Sequence, residues 1–290
     1  MVIQQDIPLF EQMQQALRRL LPVSTVPFQS PAAQTFGQVR PEALRLLYDD
    51  VVRLHPEAGR HYWNAHTWRT SMWVPVYCTI LAFEHFHCMV DVRQMQVLYA
   101  DGLAKEIFVP AEAISQGISD EIVPARALSE ALDNIRAALS CITPVPPKLA
   151  GRHTADSILA ALLLYYHDLS EYDNQHIRQR GECWLNAMGL SEESGYLDID
   201  MSSYGLPDRI ALNRRVCCQY FRCANAVLCS NCPKIPMEKR LPLLAQGWAE
   251  HDRAHADADA NADADADAKA QTQTHDKTNA DAEVHSAEKA

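Results

Sequence analysis

The chain has 290 residues, of which 48% are hydrophobic, and a formal net charge of −11. From Asp252 onward it holds ten acidic and four basic residues, a net −6, so that −11 − (−6) leaves −5 for the preceding residues. A mildly acidic body argues against nucleic acid as a partner, because phosphate binding needs clustered Lys and Arg.

The length and the apolar content predict one large domain, or one domain with a small appendage. The longest apolar runs, residues 72–83 and 158–166, are shorter than the roughly 20 residues of a membrane helix. The first residues lack the basic and apolar pattern of a secretory leader, so we expect a cytoplasmic protein with no transmembrane segment. In that compartment nine cysteines are thiols or metal ligands rather than disulfides. The sequence does not decide whether the protein contacts a membrane surface.

The first third of the chain is predicted to be helical. Apolar residues recur at the helical period over residues 9–20 and again after Pro41. Residues 60–89 are rich in aromatic side chains and predict one or two buried helices, with Pro75 as a break or kink. The tryptophans of this stretch (Trp63, Trp68 and Trp73) are expected in the core rather than in a binding pocket.

A β-hairpin is predicted between residues 95 and 109. Two apolar runs of strand-like residues flank Asp101-Gly102, a strong signal for a two-residue turn. No other stretch gives a convincing strand pattern.

Helical periodicity returns over residues 128–139, and the prolines at 144–147 are expected to end that helix. Thr154 is a candidate N-cap for the next helix, and a closing helix is expected over 236–251, beginning properly at Pro242. The predicted fold class is therefore predominantly α with one small β-hairpin (α+β). We divide the chain into a helical domain (1–208), a C-terminal cysteine segment (209–251) and a disordered Ala/Asp-rich tail (252–290).

Five of the nine cysteines lie within sixteen residues: Cys217, Cys218, Cys223, Cys229 and Cys232. Thiolates bind zinc, copper(I) or iron–sulfur clusters. A Cys-x-x-Cys turn brings two sulfurs to one metal, whereas adjacent cysteines diverge and suit a wider two-iron centre better. Structural zinc, an iron–sulfur cluster and buried or reactive thiols are the three interpretations that the residues leave open.

The arrangement Arg214-Arg215-Val216-Cys217-Cys218, then ten residues, then Cys229-Ser-Asn-Cys232 resembles the C-terminal signature of the FhuF-like ferric siderophore reductases. The resemblance covers about nineteen residues. It implies that Cys217, Cys218, Cys229 and Cys232 hold a 2Fe-2S cluster. Cys223 lies outside the motif and is predicted to be a bystander.

The resemblance implies a reductase that transfers one electron to a ferric siderophore, of the hydroxamate type, and releases Fe2+ in the cytoplasm. An electron-donor protein, such as a ferredoxin or a reductase, is implied as a partner. Arg214 and Arg215 are candidate catalytic residues beside the cluster; the alternative is surface charge, or a salt bridge to the region of Asp198 and Asp200. Two rival functions stay open: a zinc-stabilised helical binding protein, and an iron–sulfur sensor or carrier without siderophore specificity.

Overall fold

The computed structural model describes residues 8–166 and 172–254. Helices dominate this part of the chain and confirm the predominantly α, α+β class. Their bounds are α1 Leu9–Leu17, α2 Pro41–Leu54, α3 Gly59–Phe86, α4 Ile122–Ser140, α5 Pro147–Tyr166, α6 Asn174–Ala187, and α7 at residues 237–254. Within the described residues, no helix combines the length and the apolar character that crossing a membrane requires.

Helix α3 is the axis of the fold. Its 28 residues span about 42 Å, and it packs against α1, α2, α4 and α5. Trp68, Met72 and Ile80 on this helix are fully buried in the core. The helix runs through Pro75 as a single element, which agrees with the predicted alternative of one helix and excludes a break at this proline. The Thr79 hydroxyl donates to the Pro75 carbonyl at 2.8 Å.

The predicted hairpin is confirmed. Asp101 and Gly102 both have positive φ, 51° and 71°, as its tight turn requires. The strands are β1 Ala33–Thr35, β2 Cys88–Val90, β3 Gln96–Ala100, β4 Leu103–Phe108, β5 Ile114–Gln116, β6 Tyr196–Ile199 and β7 Arg209–Leu212. They form an antiparallel sheet in the order β1-β3-β4 and the pairs β2-β5 and β6-β7. The sequence prediction missed β1, β2, β5, β6 and β7 because three or four residues are too few to show alternation.

Two predicted helix starts are wrong. Helix α5 begins at Pro147, so Thr154 lies buried inside it and is not an N-cap. Pro147 begins a helix rather than ending one because the first turn needs no N–H from proline. Helix α7 begins at residue 237, so Pro242 lies within it. Of the predicted disordered tail, residues 252–254 end α7 and residues 255–290 lie outside the described residues.

The described residues divide into two compact units. The larger comprises residues 8–166, 172–198 and 210–240, and the smaller comprises 199–209 and 241–254. The whole cysteine motif lies in the larger unit, together with α1–α6. The predicted domain boundary at residue 208 stays a prediction.

Candidate metal centre

The cysteine motif follows strand β7 and is built from tight turns. Gln219 adopts φ 63°, which turns the chain sharply after the adjacent cysteines and into a 3-10 turn at Tyr220–Arg222. At the other end, the backbone N–H of Cys232 donates to the Cys229 carbonyl at 2.9 Å and closes the Cys-x-x-Cys turn. The ten intervening residues therefore fold back and bring the two ends of the motif together.

The four motif sulfurs meet as two pairs. Cys217 Sγ lies 3.7 Å from Cys232 Sγ, and the Cys218 and Cys229 thiols are hydrogen-bonded to each other. Two thiolates bound at about 2.3 Å to one tetrahedral metal lie about 3.8 Å apart, so the first pair already has the required spacing. Within the described part of the chain, no three of these sulfurs lie within 4.8 Å of one another. Two separate pairs suit a two-iron centre, whereas a single zinc ion needs all four sulfurs around one point.

The site is mostly buried, and Cys218 is the thiol that favours the thiolate form, whereas burial raises the pKa of Cys217 and the hydrogen bond with Cys218 raises that of Cys229. The sulfurs of Cys217, Cys218 and Cys232 belong to buried residues, Cys229 is half-buried, and none of the chain's nine cysteines forms a disulfide. The hydrogen bond with Cys229 lowers the pKa of Cys218 to about 4, and the positive charges of Arg214 and Arg69 act in the same direction. The thiolate is the form that binds metal, so the donor set fits a 2Fe-2S cluster.

The two predicted arginines occupy different environments. The Arg214 side chain is only 9% exposed; its Nε donates to Asp156 at 3.0 Å and its Nη1 to Cys229 Sγ at 3.8 Å. Arg215 is exposed, and within the described part of the chain only its backbone carbonyl is engaged, by Arg152. The structure therefore brings Arg214 to the sulfurs and leaves Arg215 at the surface.

The alternative partners proposed for the arginines are engaged elsewhere. Asp198 forms an ion pair with Arg178, and the Asp200 carboxylate accepts the backbone N–H of Ser202. The partner of Arg214 is instead Asp156 of α5, which also accepts a hydrogen bond from the Ser194 hydroxyl at 2.6 Å. Arg214 is thus neither surface charge nor paired with the predicted acids.

Sequence reasoning missed His153, His66 and Arg69. His153 of α5 is 1% exposed, and neither ring nitrogen has a hydrogen-bond partner among the described residues. Burial, together with the charges of Arg69 and Arg214, lowers the pKa of His153 to about 3. His66 and Arg69 of α3 both interact electrostatically with Cys218. All three lie in ordinary helical patterns far along the chain from the motif, so the sequence carries no signal for them.

A cavity of about 360 Å³ lies beside these residues. His66, Arg69, Trp73 and Tyr77 of α3 line it, together with Ser157 of α5 and Leu103. Both His66 ring nitrogens are engaged, by the Tyr62 hydroxyl at 3.1 Å and the Gly102 carbonyl at 3.0 Å. Of the three tryptophans expected in the core, Trp68 lies there, Trp63 is half-buried, and the half-buried Trp73 lines this cavity.

A family model described as the FhuF 2Fe-2S C-terminal domain matches residues 214–234. The match covers 21 of the 290 residues and includes all four motif cysteines. No solved structure matches the chain. The cofactor of the matched domain agrees with the two sulfur pairs and decides between the interpretations left open by the residues. The segment at residues 214–234 is a 2Fe-2S domain, and its match supports the resemblance of the motif to the FhuF-like family.

Proposed function

We propose that the protein is a ferric siderophore reductase that transfers one electron to chelated Fe3+ and releases Fe2+. The observation that carries the proposal is a FhuF-type 2Fe-2S domain whose four cysteines form two sulfur pairs beside a cavity. This function places the protein in iron transport and iron homeostasis.

The proposed cluster ligands are Cys217 and Cys232 for one iron and Cys218 and Cys229 for the other. The pairs follow from the sulfur contacts, since each iron of a four-cysteine cluster takes two thiolates. When bound, the cluster supplies a one-electron carrier whose potential depends on hydrogen bonds and exposure. The half-buried Cys229 is the thiol nearest to solvent and gives the centre its outward face.

The reaction uses the different affinities of the two iron oxidation states. Hydroxamate siderophores hold Fe3+ through hard, charged oxygen atoms, which bind the less charged Fe2+ much more weakly. Adding one electron to Fe3+ therefore converts a tight complex into one that releases its metal. Each ~59 mV of driving force changes the equilibrium constant of a one-electron step about tenfold.

We propose that the cavity on α3 receives part of the ferric siderophore. Trp73 and Tyr77 offer aromatic surface, and Arg69 offers a positive charge for oxygen-rich ligands. Burial lowers the pKa of His66, and its two hydrogen bonds hold the ring in place. Because His66 and Arg69 also interact electrostatically with Cys218, this cavity is the proposed place where the substrate approaches the cluster.

Arg214 is proposed to tune the electron carrier. It directs one N–H at Cys229 Sγ while Asp156 holds its other side. A buried guanidinium stabilises added negative charge, so Arg214 raises the reduction potential of the cluster. Arg215, which is exposed, is proposed to attract an anionic partner instead.

The electron comes from outside the described chain. A one-electron donor protein, such as a ferredoxin or a reductase, is the proposed source. The cytoplasm is the proposed compartment because its reducing conditions keep all nine cysteines as thiols.

The test is an optical and EPR spectrum of anaerobically purified protein, before and after dithionite, followed by addition of a ferric hydroxamate siderophore. We expect the reduced cluster signal to disappear as Fe2+ appears, measured with a ferrous-specific chelator. A reduced cluster that persists in the presence of substrate would indicate a sensor or carrier without siderophore activity. A colourless protein with zinc would exclude both.

Variants separate cluster assembly from substrate binding. Changing Cys217, Cys218, Cys229 or Cys232 to Ser is expected to bleach the cluster, whereas Cys223→Ser keeps the spectrum. Arg69→Ala is expected to keep the spectrum and slow Fe2+ release about tenfold or more by loss of a charged contact. Arg126→Ala, at an exposed position on α4, is the matched control and is expected to have no effect.

A further inference from the structure

A second group of metal-ligating side chains lies outside the four motif cysteines. His55 and Glu57 lie in the connection between α2 and α3, and Cys223 follows the 3-10 turn in the spacer of the motif. One imidazole nitrogen, one carboxylate oxygen and the Cys223 sulfur all lie within 4.8 Å of one another. Within residues 8–166 and 172–254, this is the only such group of three.

Independent contacts hold the three donors in position. The Trp63 indole N–H donates to the His55 carbonyl at 2.7 Å, and the Tyr62 ring packs edge-on against the imidazole at 5.3 Å between centroids. The backbone N–H of Ala224 donates to a Glu57 carboxylate oxygen at 2.8 Å. This bond ties the residue after Cys223 to the loop that carries His55 and Glu57.

The donors are available to a ligand. The His55 imidazole makes no hydrogen bond to any residue that the structure describes, and the second carboxylate oxygen of Glu57 is on an exposed side chain. Cys223 is 6% exposed and forms no disulfide. Each donor therefore has a lone pair, or a proton that metal binding displaces, within 4.8 Å of the other two donors.

The donor set has a definite metal preference. Imidazole and thiolate bind borderline transition metals such as zinc(II) and iron(II). The carboxylate also binds these ions and disfavours the soft ion copper(I). Three protein ligands with an open position are typical of zinc sites that keep water or an exogenous ligand. Calcium and magnesium prefer oxygen donors, so a His/Glu/Cys set disfavours them.

The geometry points to a mononuclear site for a divalent transition-metal ion of the zinc(II) or iron(II) class, ligated by His55, Glu57 and Cys223. This assignment replaces the bystander role predicted for Cys223. It does not depend on the proposed reductase activity, since it uses none of the four motif cysteines. A metal there joins the spacer of the cluster motif to the start of α3.

The affinity has an expected pH dependence. Metal binding displaces the Cys223 proton and requires a neutral imidazole, so zinc affinity falls as the pH falls. Burial raises the pKa of the Cys223 thiol, while its hydrogen bond with Tyr62 acts in the opposite direction. His55, Glu57, Tyr62 and Cys218 are the titratable groups that face this thiol.

The test uses cluster-loaded, full-length protein and Zn2+ as the probe. Equilibrium dialysis is expected to give one zinc per chain with the visible spectrum of the cluster unchanged. Zinc-edge X-ray absorption is expected to show one sulfur among nitrogen and oxygen ligands. His55→Ala, Glu57→Gln and Cys223→Ser are each expected to weaken zinc binding about tenfold or more, because each removes or weakens one of three ligands.

His61→Ala and Cys141→Ser are matched controls, because both residues are exposed and lie outside the group. They are expected to bind zinc like the parent. Equal zinc affinity in the parent and in the His55 and Glu57 variants would overturn the assignment. This outcome stays decisive even if Cys223→Ser loses its cluster, because neither of these two variants changes a cysteine. A sulfur-only zinc shell, or bleaching of the cluster on zinc addition, would also overturn it, because the ion would then be in the four-cysteine site.

Discussion

Two arginine–carboxylate pairs in this protein have buried carboxylates whose pKa values are shifted in opposite directions. Glu84 of α3 accepts hydrogen bonds from Tyr166, from Trp184 at 2.6 Å and from Arg180 at 2.7 Å. Among the residues that the structure describes, Asp156 of α5 has only Ser194 and Arg214 as hydrogen-bond partners. Hydrogen bonds outweigh burial and lower the pKa of Glu84, whereas burial dominates and raises the pKa of Asp156.

The difference reflects what each arginine does. Arg180 directs its guanidinium at Glu84 through two nitrogens and at Glu121 through one, so its hydrogen bonds end on carboxylates. Arg214 divides its guanidinium between Asp156 and the Cys229 sulfur. The first network is complete without any ligand, and the second is directed at the metal centre. We therefore propose that the first network stabilises the fold and that the second tunes the cluster.

The largest expected effect is on the complete network. Glu84→Ala leaves Arg180 without its main partner and removes the acceptor of Tyr166 and Trp184. We expect a loss of about 3–5 kcal/mol in the free energy of unfolding, with the cluster spectrum unchanged in the protein that stays folded. Urea titration followed by circular dichroism measures it. A loss below about 1 kcal/mol would remove the distinction between the two networks.

Arg214→Ala is expected to destabilise less and to change the cluster more. The raised pKa of Asp156 lets its carboxyl take up a proton once Arg214 is absent, so we expect a loss of about 2–3 kcal/mol. The reduction midpoint is expected to move downward because a nearby positive charge is removed. Potentiometric titration followed by EPR measures the midpoint. Arg214→Lys keeps the positive charge, so its midpoint is expected to stay close to that of the parent. A midpoint that does not move in Arg214→Ala would return this residue to a structural role.

His153 gives the next effect, and it depends on pH. Its folded-state pKa of about 3 lies below the ordinary value of 6.5, so between these values the unfolded chain binds more protons and stability falls as the pH falls. His153→Leu removes this contribution. One extra proton bound by the unfolded parent changes its free energy of unfolding by about 1.4 kcal/mol per pH unit. On lowering the pH from 6.5 to 5, the parent is therefore expected to lose about 2 kcal/mol more stability than the variant. Parallel stability curves for the two proteins would contradict the expectation.

Arg215→Ala is expected to have the smallest effect. The side chain is exposed, so the stability should change by no more than about 0.5 kcal/mol and the midpoint should stay where it is. Only the salt dependence of the reductase rate is expected to weaken, since long-range attraction of an anionic partner is screened by ions. A shifted midpoint in this variant would show that Arg215, too, acts on the cluster.

The sequence contained the chemistry of the cluster but not its surroundings. Asp101-Gly102 predicts the hairpin because only certain residues adopt its positive φ values, and the resemblance of the Cys-Cys motif to the FhuF-like signature implies the ligands. Arg69, His153 and Asp156 lie in ordinary helical patterns, and their proximity to the cysteines is a product of helix packing. The motif spacing predicts Cys223 to be a bystander, and no spacing rule points to the nearby His55 and Glu57, which lie more than 160 residues earlier in the chain.

The nested sulfur contacts have a consequence for how the centre forms. Cys218 and Cys229 enclose a loop that lies wholly inside the loop enclosed by Cys217 and Cys232. Closing a loop costs chain entropy that grows only with the logarithm of its length, and closing the inner loop first leaves the outer pair almost in place. Assembly is therefore expected to be ordered from the inside outward. The inner pair bears most of the entropic cost of closure, and the outer pair completes the site with little further ordering of the chain.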